Sequence, residues 1–362
     1  MRGQGKAVRP NFMQDFSAMH GALLRWYDLQ GRELPWRVRP KDRARGISPN
    51  PYKIWLSEIM SQQTTLAHAT PYWERFTAEF PTVIDLANCE RETVLSMWAG
   101  LGYYARARNL HKCAVTVRDE YQGIFPVDEA SLLKLPGIGP YTAATIAAIC
   151  GDQPTNIVDG NVERVISRIF TYEDPLPKGK KGLRNLAATL VKDERPGDYG
   201  QALMDLGATI CTVKNPKCDS CPWTQWCKSH CEGTQTNYPK KEKKAPLPIR
   251  YGYVYILRSD GDFLVERRSD KGLLGGMLGL PTSEWGDKSI DHRAAPIARN
   301  WQKLGQVKHI FTHFDLRLDV FFAEVEAENL SHLDQNSLIW TQDTSALPTV
   351  FRKAVWLAMS ER

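Results

Sequence analysis

Apolar residues recur with a helical period through the first two thirds of the chain. Near the N-terminus they stand three or four positions apart, at Phe12, Phe16, Met19, Leu23 and Trp26. This spacing predicts an amphipathic opening helix. The dipeptide Asn50-Pro51 has the character of an N-cap and the first residue of a second helix. The same period predicts further helices at Tyr72–Phe80, Arg91–Trp98, Arg106–Tyr121, Tyr141–Cys150 and Asn161–Ile169.

The final third of the chain alternates apolar and polar residues, which is the period of strands with one buried face. Three segments show this alternation, namely Tyr251–Leu257, Phe263–Arg267 and Phe314–Val325. A last helix is predicted at Thr349–Met359. The sequence therefore predicts an α+β multidomain protein, in which an all-α domain precedes an α/β domain.

A polar segment rich in lysine and proline, Ser229–Arg250, separates these two regions. Its composition is that of an exposed linker, although its lysines could instead contact phosphates. The predicted domains are a helical domain at 1–232, a linker at 233–249 and the α/β domain at 250–362.

Length and composition narrow the class of protein. A chain of 362 residues with 24% charged and 42% hydrophobic residues is typical of two folded domains. Its net charge of +6 permits a polyanionic partner without requiring one. No apolar run is long enough to cross a bilayer and no signal peptide is apparent, so we expect a cytoplasmic protein with no membrane partner. Nothing in the sequence indicates an oligomer interface, and a monomer is the expectation.

Four of the eight cysteines fall in one short stretch. Their spacing is C-x6-C-x2-C-x5-C, and they are Cys211, Cys218, Cys221 and Cys227. Four thiolates in one loop can hold zinc or an iron–sulfur cluster, although zinc modules more often show two C-x2-C pairs. The clustering therefore predicts a metal site, and the spacing alone leaves the metal open.

Two glycines stand in the turn LPGIGPY, residues 135–141. Their missing side chains leave backbone N–H groups unobstructed at the start of a helix, which is a geometry that binds phosphate. A turn of this kind is often only a sharp connection between helices. Here a second helix follows at once, as a helix–hairpin–helix requires, and we predict that the backbone at Gly137 and Gly139 binds a phosphate.

Two carboxylates have surroundings that favour opposite protonation states. Glu58 lies on a helix crowded with apolar residues, a setting that should raise its pKa and keep it protonated. Asp159 stands just before a helix, where the positive end of the dipole favours the ionised form. Cleavage of a glycosidic bond needs this combination. Taken alone, Glu58 would be interpreted as a surface acid and Asp159 as a helix cap.

Together these motifs resemble the endonuclease III superfamily of DNA glycosylases, which carry a helix–hairpin–helix and an iron–sulfur loop. Within it, Pro51–Thr64 and Gly100–Leu110 resemble the adenine DNA glycosylase (MutY) family. The resemblance implies removal of adenine opposite 8-oxoguanine or guanine in double-stranded DNA, and one [4Fe-4S] cluster. Superfamily members that also cut the strand have a lysine where Tyr141 stands here. Since a phenol cannot form a Schiff base, we expect no lyase activity.

The resemblance also implies roles for individual residues. Glu58 would protonate adenine, and Asp159 would stabilise the sugar cation. Tyr141 and Asn161 would orient these groups and water. The residues lining the adenine pocket would be Trp36, Arg37 and Gln201. Those filling the gap left by the flipped base and contacting the opposing base would be Gln63, Thr64 and Tyr103.

The C-terminal region resembles the Nudix-like domain that recognises 8-oxoguanine in this family. Phe311-Thr312-His313 matches the family's Phe-Ser-His loop, with threonine in place of serine. The acidic magnesium-binding helix of Nudix hydrolases is missing after Gly272–Pro281, which predicts recognition rather than hydrolysis. A basic insertion, Val38–Asn50, departs from the family pattern and is either a DNA contact or a solvated loop.

Three other functions are open on the sequence. A sister enzyme would act on another mispair such as thymine opposite guanine, and the recognition domain and the Gln62–Thr64 run argue against it. A cluster-bearing protein could bind DNA or sense redox state without catalysis, but it would have no need of the pair Glu58 and Asp159. A nucleotide hydrolase would need the acidic helix that is missing.

Overall fold

The structure is a computed structural model of the chain. It describes residues 15–242, 245–269, 272–287, 295–296, 300–325, 338–345 and 347–360. They form two compact units, the first with residues 15–94 and 109–242, the second with residues 95–108 and 245–360. The predicted domain boundaries at residues 232 and 250 stay a prediction.

Helices dominate the chain before the sheet. Their bounds are α1 Phe16–Gln30, α2 Pro40–Arg43, α3 Pro51–Ser61, α4 Leu66–Glu79, α5 Val83–Asn88, α6 Arg91–Met97, α7 Ala105–Glu120, α8 Glu129–Leu132, α9 Pro140–Gly151, α10 Gly160–Phe170, α11 Lys180–Ala188, α12 Pro196–Thr209 and α13 Lys228–Cys231. Short 3-10 turns lie at Cys218–Ser220, Thr224–Trp226 and Gln235–Asn237. Among the described residues, no helix is long and apolar enough to span a bilayer.

The predicted start of α3 is confirmed. The Asn50 side chain accepts a hydrogen bond from the Lys53 N–H at 3.2 Å, and Pro51 takes the first helical position. Helix α1 begins at Phe16, and Phe12 of the predicted opening helix lies outside the described residues.

The first unit has three helices that are buried over most of their length, α9, α10 and α12. In α10, residues 162–169 are all buried. In α9, residues 142–149 are all buried. In α12, residues 196–207 are all buried, including the polar side chains of Asp198, Gln201 and Asp205. The sequence patterns do not predict α12, because its polar residues Asp198, Gln201 and Asp205 interrupt the apolar positions although all three are buried.

The second unit contains a mixed sheet. Its strands are β1 Ile249–Ser259, β2 Asp262–Arg267, β3 Leu278–Gly279, β4 Gln302–Ile310, β5 Asp315–Glu324 and β6 Leu338–Thr341. The strand order is β3-β2-β1-β5-β4, with β6 also paired to β2. Strands β1 and β5 run parallel, and the other pairs are antiparallel. Helix α14, Thr349–Ser360, shares an apolar core with β1 and β5.

The three predicted strands correspond to β1, β2 and β5, whereas β4 was not predicted. The apolar residues of β4 are Leu304, Val307 and Ile310, which stand three apart instead of alternating. A bulge between Lys303 and Gly305 shifts the register of this strand against β5. The bulge therefore hides the period of two that identifies a strand.

Candidate active site

Glu58, on α3 of the first unit, is half-buried. Burial raises the pKa of Glu58 to about 7. The negative charge of Asp159 acts in the same direction. A hydrogen bond from Tyr141 and the charge of Arg37 lower the pKa of Glu58, but they do not offset the effect of burial. Glu58 is therefore largely protonated below pH 7. Three other predicted site residues, Tyr141, Arg37 and Asp159, act on its pKa.

Tyr141, in the first turn of α9, contacts both Glu58 and α12. Its hydroxyl lies 3.2 Å from Met204 Sδ and is also a hydrogen-bond partner of Glu58. Burial raises the pKa of Tyr141 well above its usual value, and the charges of Glu58 and Asp159 add to this effect. The phenol therefore stays protonated as a donor, and the carbonyl oxygen of the Glu58 carboxyl group is a stronger acceptor for it than a thioether.

Asp159 is the N-cap of α10. One of its carboxylate oxygens accepts from the Val162 N–H at 2.8 Å, and the other accepts from Asn161 Nδ2 at 2.9 Å. The group also lies at the positive end of the helix dipole, which stabilises negative charge. Asn161 is therefore a hydrogen-bond partner of Asp159, and Tyr141 is a hydrogen-bond partner of Glu58.

A series of hydrogen bonds continues from Asn161 along α10. Asn161 Oδ1 accepts from Arg164 Nη2 at 2.9 Å, and Arg164 Nε donates to the Cys211 carbonyl at 2.7 Å. About one turn further along the helix, Arg168 Nη1 lies 3.3 Å from Cys211 Sγ. Helix α10 therefore joins the candidate catalytic carboxylate to the cysteine loop.

Helix α12 lies close to α10 at Gly207. A Cβ at this position would lie 2.6 Å from Asn161 Cβ and 3.1 Å from the Asn161 carbonyl carbon and oxygen. The Gly207 carbonyl also accepts from Arg164 Nη2 at 2.6 Å. A side chain at position 207 would therefore displace Asn161.

Arg37 pairs with a buried acid of α12, Asp205. Arg37 Nη1 and Nη2 donate to the two carboxylate oxygens at 2.6 and 2.8 Å. Burial raises the pKa of Asp205, but the hydrogen bond and charge of Arg37, with the charge of Arg32, outweigh burial and hold it below its usual value. Because the charge of Arg37 acts on Glu58, this predicted pocket residue lies near the acid.

The other two predicted pocket residues are buried. Trp36 packs against Trp73, with ring centroids 5.5 Å apart. Gln201 Nε2 donates to the Gly197 carbonyl at 3.2 Å, one turn earlier on the same helix. Neither contact reaches the two carboxyl groups, and the place of Trp36 and Gln201 in an adenine pocket stays a prediction.

The hairpin turn before α9 leaves its backbone open to a ligand. Gly137 has a φ of +76°, a left-handed conformation that glycine adopts without strain, and a Cβ there would lie 2.7 Å from Asn109 Cβ. Gly139 is the N-cap of α9, and a Cβ there would meet nothing within 4 Å. The helix therefore begins with an uncovered N-terminus of the kind that binds phosphate.

Two of the residues predicted to contact the mispair share an unusual backbone conformation. Gln63 has a φ of 55° and Tyr103 a φ of 51°, and both side chains are exposed. Left-handed non-glycine residues cluster at functional sites. The hydroxyl of the third residue, Thr64, donates to the Gln62 carbonyl at 3.3 Å. Gln63 and Tyr103 belong to different units, and the contacts of all three residues with DNA stay a prediction.

The four cysteines line one cavity beside α10. Burial raises the pKa of Cys218, Cys221 and Cys227, and neighbouring thiols act in the same direction. Convergent thiols beside Arg168 fit a [4Fe-4S] cluster, whose four irons take one thiolate each.

The basic insertion at 38–50 folds against α9. It contains α2, whose Arg43 pairs with Asp152 at 3.0 Å and also donates to the Ile149 carbonyl. These contacts lie at the C-terminal end of α9, where a cation is favourable, and this end is opposite to the hairpin turn. Arg43 therefore stabilises the helix, while Lys41 and Arg45 are exposed.

In the second unit, the predicted 8-oxoguanine loop connects β4 and β5. The Phe311 N–H donates to the Phe314 carbonyl at 2.9 Å, and Thr312 and His313 are exposed at the tip of the turn. The Phe311 ring stacks on Trp285, with centroids 5.9 Å apart. The loop therefore presents two polar side chains on an aromatic base.

Known families match both regions of the chain. Residues 56–192 match the HhH-GPD superfamily of base excision DNA repair proteins, residues 211–227 the iron-sulfur binding domain of endonuclease III, and residues 252–356 the NUDIX domain. An adenine DNA glycosylase of Rattus norvegicus is 33% identical over 87% of this chain and 72% of its own length. One from Buchnera aphidicola (subspecies Schizaphis graminum) is 33% identical over 82% of this chain and 84% of its own length. The chain belongs to the adenine DNA glycosylase family.

Membership of the adenine DNA glycosylase family confirms the predicted fold class, enzyme class and cofactor. The cysteine loop is the site of a [4Fe-4S] cluster, which decides between the two metals that the spacing left open. Among solved structures, a thermostable thymine-DNA glycosylase has a TM-score of 0.53 and 28% identity, and covers 60% of this chain and 97% of its own.

The sequence patterns did not predict the role of Asp205. It stands in the apolar run 202–206, which reads Ala-Leu-Met-Asp-Leu. An ionised acid buried in such a run needs a cationic partner, and this signal could have identified it as a paired residue. The identity of the partner, Arg37, depends on the tertiary fold.

Proposed function

We propose that this member of the family removes adenine opposite 8-oxoguanine or guanine in double-stranded DNA, without cutting the strand. The proposal rests on one observation. Two carboxyl groups lie in one site, and their surroundings favour opposite protonation states. Burial keeps Glu58 protonated, whereas Asp159 accepts two hydrogen bonds at a helix N-terminus. Hydrolysis of a glycosidic bond uses one group of each kind.

Glu58 supplies the proton for the leaving base. Its pKa of about 7 lies at the operating pH, where a general acid is most effective. Transfer of this proton to adenine N7 makes the base a neutral leaving group. Because the acid and the carboxylate must reach the base and C1′ of the same nucleotide from one protein site, the adenine must first be flipped out of the stacked duplex.

Asp159 acts on the sugar. Its carboxylate stabilises the positive charge that develops at C1′ as the base leaves, and attack by one of its oxygens would give a retained product after hydrolysis. Asn161 and the N–H of Val162 hold the two oxygens in place at 2.9 and 2.8 Å. The carboxylate therefore needs no rearrangement when the charge appears.

Strand cleavage through a Schiff base needs a lysine amine, and the hairpin helix does not supply one. Helix α9 contains no lysine, and Tyr141 stands at the position in question. Because its pKa is raised, Tyr141 remains a neutral phenol that holds Glu58. We therefore propose a monofunctional glycosylase.

The remaining parts of the chain serve binding. We propose that Phe311, Thr312 and His313 recognise 8-oxoguanine, and that Gly137 and Gly139 bind a DNA phosphate. When bound, the [4Fe-4S] cluster crosslinks the cysteine loop through four thiolates. The proposal also includes a monomer and a cytoplasmic location.

The test is single-turnover incubation with a duplex that carries adenine opposite 8-oxoguanine, analysed with and without alkali. Strand breaks that appear only after alkali support base removal without lyase activity. Breaks without alkali contradict the monofunctional assignment. Faster removal of thymine opposite guanine contradicts the substrate, and a cluster-loaded protein that binds this duplex without reaction contradicts catalysis.

A further inference from the structure

The cavity that the four cysteines line has both apolar and polar residues around it. The apolar residues belong mainly to α10 and α12, among them Val165, Ile169 and Leu206. The polar ones include Thr224 and His230, which stand on either side of the last cysteine of the loop. Thr224 Oγ1 and His230 Nδ1 are buried, and neither atom has a hydrogen-bond partner among the described residues. Because an unpaired buried polar atom is destabilising, both atoms need a partner within the cavity.

A third polar side chain, Ser229, already contacts one of the cysteines. Ser229 is 0% exposed, and its Oγ lies 3.4 Å from Cys227 Sγ. Between a thiol and a hydroxyl, either group can donate the hydrogen. A thiolate that binds iron has no hydrogen to donate. In the holoprotein, the Ser229 hydroxyl is therefore the donor and the Cys227 sulfur is the acceptor.

The chemistry of the cofactor identifies what the unpartnered atoms can bind. A [4Fe-4S] cluster presents the thiolates of its cysteines and its inorganic sulfides, and these sulfurs accept hydrogen bonds without donating any. The Thr224 hydroxyl can donate to such an acceptor, as can His230 when Nδ1 carries the hydrogen. Gln235 Oε1 is another buried atom of the lining without a partner among the described residues, and rotation of the amide would turn its NH₂ group to the same acceptors.

Donors around a cluster change its reduction potential. The cluster carries one more negative charge in the reduced state than in the oxidised state, and hydrogen bonds to the sulfurs stabilise negative charge. Each donor therefore stabilises the reduced state more than the oxidised state and raises the potential. An apolar cavity supplies no such stabilisation, so the polar residues around Cys227 decide this part of the potential.

We propose that Thr224, Ser229 and His230 donate hydrogen bonds to the sulfur atoms of the cluster and raise its reduction potential, so that the cluster resists the loss of an electron. The spacing of the cysteines identifies the cofactor but gives no role to these three residues. The inference concerns the cofactor alone, and it does not depend on which base the enzyme removes.

The experiment is protein-film voltammetry of the holoprotein, which measures the midpoint potential of the cluster. Thr224→Val removes a hydroxyl and keeps the shape of the side chain, and Ser229→Ala removes the second hydroxyl. One hydrogen bond changes an equilibrium by about 2–10-fold. In each variant the ratio of oxidised to reduced cluster at a fixed potential should rise by this factor, and a tenfold rise lowers the midpoint by about 59 mV. His230→Phe keeps a ring without its nitrogens and should also lower the midpoint.

The chain offers a matched control in Thr234. Its Oγ1 donates to the Ser229 carbonyl at 3.4 Å, and of the described residues it is not one that lines the cavity. Thr234→Val makes the same chemical change as Thr224→Val in the same segment, and its midpoint should stay at the wild-type value. Thr224→Ser keeps the hydroxyl at the tested position, and its midpoint should stay there as well.

Iron content and visible absorbance show which variants hold an intact cluster. If Ser229→Ala does not hold it, the midpoints of Thr224→Val and His230→Phe decide, because both of these positions are only half-buried. Two results would overturn the inference. One is a wild-type midpoint in the cluster-loaded variants that lack a donor. The other is an equal fall in Thr224→Val, Thr224→Ser and Thr234→Val, which is the result of loosened packing rather than of a lost hydrogen bond.

Discussion

The region around Glu58 and the loop at Thr312 and His313 are proposed to act on the two bases of one mispair, yet they are built in opposite ways. In the first, the polar groups are half-buried or buried and are paired, and Asp205 alone accepts four hydrogen bonds. In the second, the polar side chains are exposed at the tip of a turn, and the aromatic ring of Phe311 lies beneath them.

The difference follows from what each region has to achieve. Proton transfer at neutral pH needs an acid whose pKa is moved away from its value in water, and burial among fixed charges produces that shift. Recognition of a base needs donors and acceptors that reach the ligand, and these groups are solvated until the ligand arrives. Substitutions should therefore have large effects on the rate in the first region and small effects on selectivity in the second.

The largest effect is expected for Glu58→Gln. The amide keeps the shape of the side chain but has no acidic proton, and general acid catalysis contributes about 10²–10⁴-fold. The single-turnover rate on adenine opposite 8-oxoguanine should fall by a factor in this range, while the dissociation constant for the duplex stays close to the wild-type value. A parallel loss of affinity would mean that Glu58 supports structure rather than chemistry.

Glu163→Gln is the matched control for this variant. Glu163 is 8% exposed on α10 and pairs with Lys180 at 2.9 Å. The substitution makes the same chemical change in a buried acid one turn after Asp159, and the rate should stay within a few fold of the wild type. If both variants lost activity equally, the loss in Glu58→Gln would reflect removal of any acid from this region rather than loss of a proton donor.

An intermediate effect is expected for Gly207→Ala. Alanine favours a helix over glycine by about 1 kcal/mol, but overpacking costs about 1–3 kcal/mol. Because the new Cβ would lie 2.6 Å from Asn161 Cβ, we expect a net loss of stability in urea unfolding. Displacement of Asn161 should also lower the single-turnover rate by about 10–100-fold through the orientation of Asp159.

Gly21→Ala serves as its control, because a Cβ on this residue of α1 would meet only Arg25 Nη1, at 3.2 Å. That atom is the end of a flexible side chain, so this variant should gain stability and keep its rate. A Gly207→Ala protein with the wild-type rate would show that the position of Asn161 is not critical.

Local sequence signals were sufficient for the groups that are defined within a few residues. Asp159 stands before a helix start, and its side chain does accept the Val162 N–H. The spacing of the cysteines predicted a metal site, and the apolar helix around Glu58 predicted the direction in which its pKa moves. In each case the chain neighbours create the environment that matters.

What the sequence could not predict depends on residues that are distant along the chain. Asp205 and Arg37 are 168 positions apart, and no local pattern connects them. The close approach at Gly207 likewise exists only because α12 crosses α10 there. Helix α12 itself was not predicted, because buried polar residues interrupt its apolar positions.

The smallest effect is expected for His313→Ala. One hydrogen bond contributes about 0.5–1.5 kcal/mol, which corresponds to about 2–10-fold in the preference for 8-oxoguanine over guanine opposite adenine. The preference is measured as the ratio of dissociation constants for the two duplexes. Thr312→Ser is the matched control, since it keeps the hydroxyl and restores the residue of the resembled loop, and the ratio should not change.

The His313→Ala variant also tests whether the loop at Thr312 and His313 acts independently of the region around Glu58. His313 belongs to the second unit and Glu58 to the first, so a residue that only reads the opposing base should leave the rate from saturated complex within a few fold of the wild type. A loss of more than about tenfold on both duplexes would exceed what one recognition hydrogen bond contributes. The exposed loop would then take part in the chemistry, and the contrast between a buried reactive region and an exposed reading region would fail.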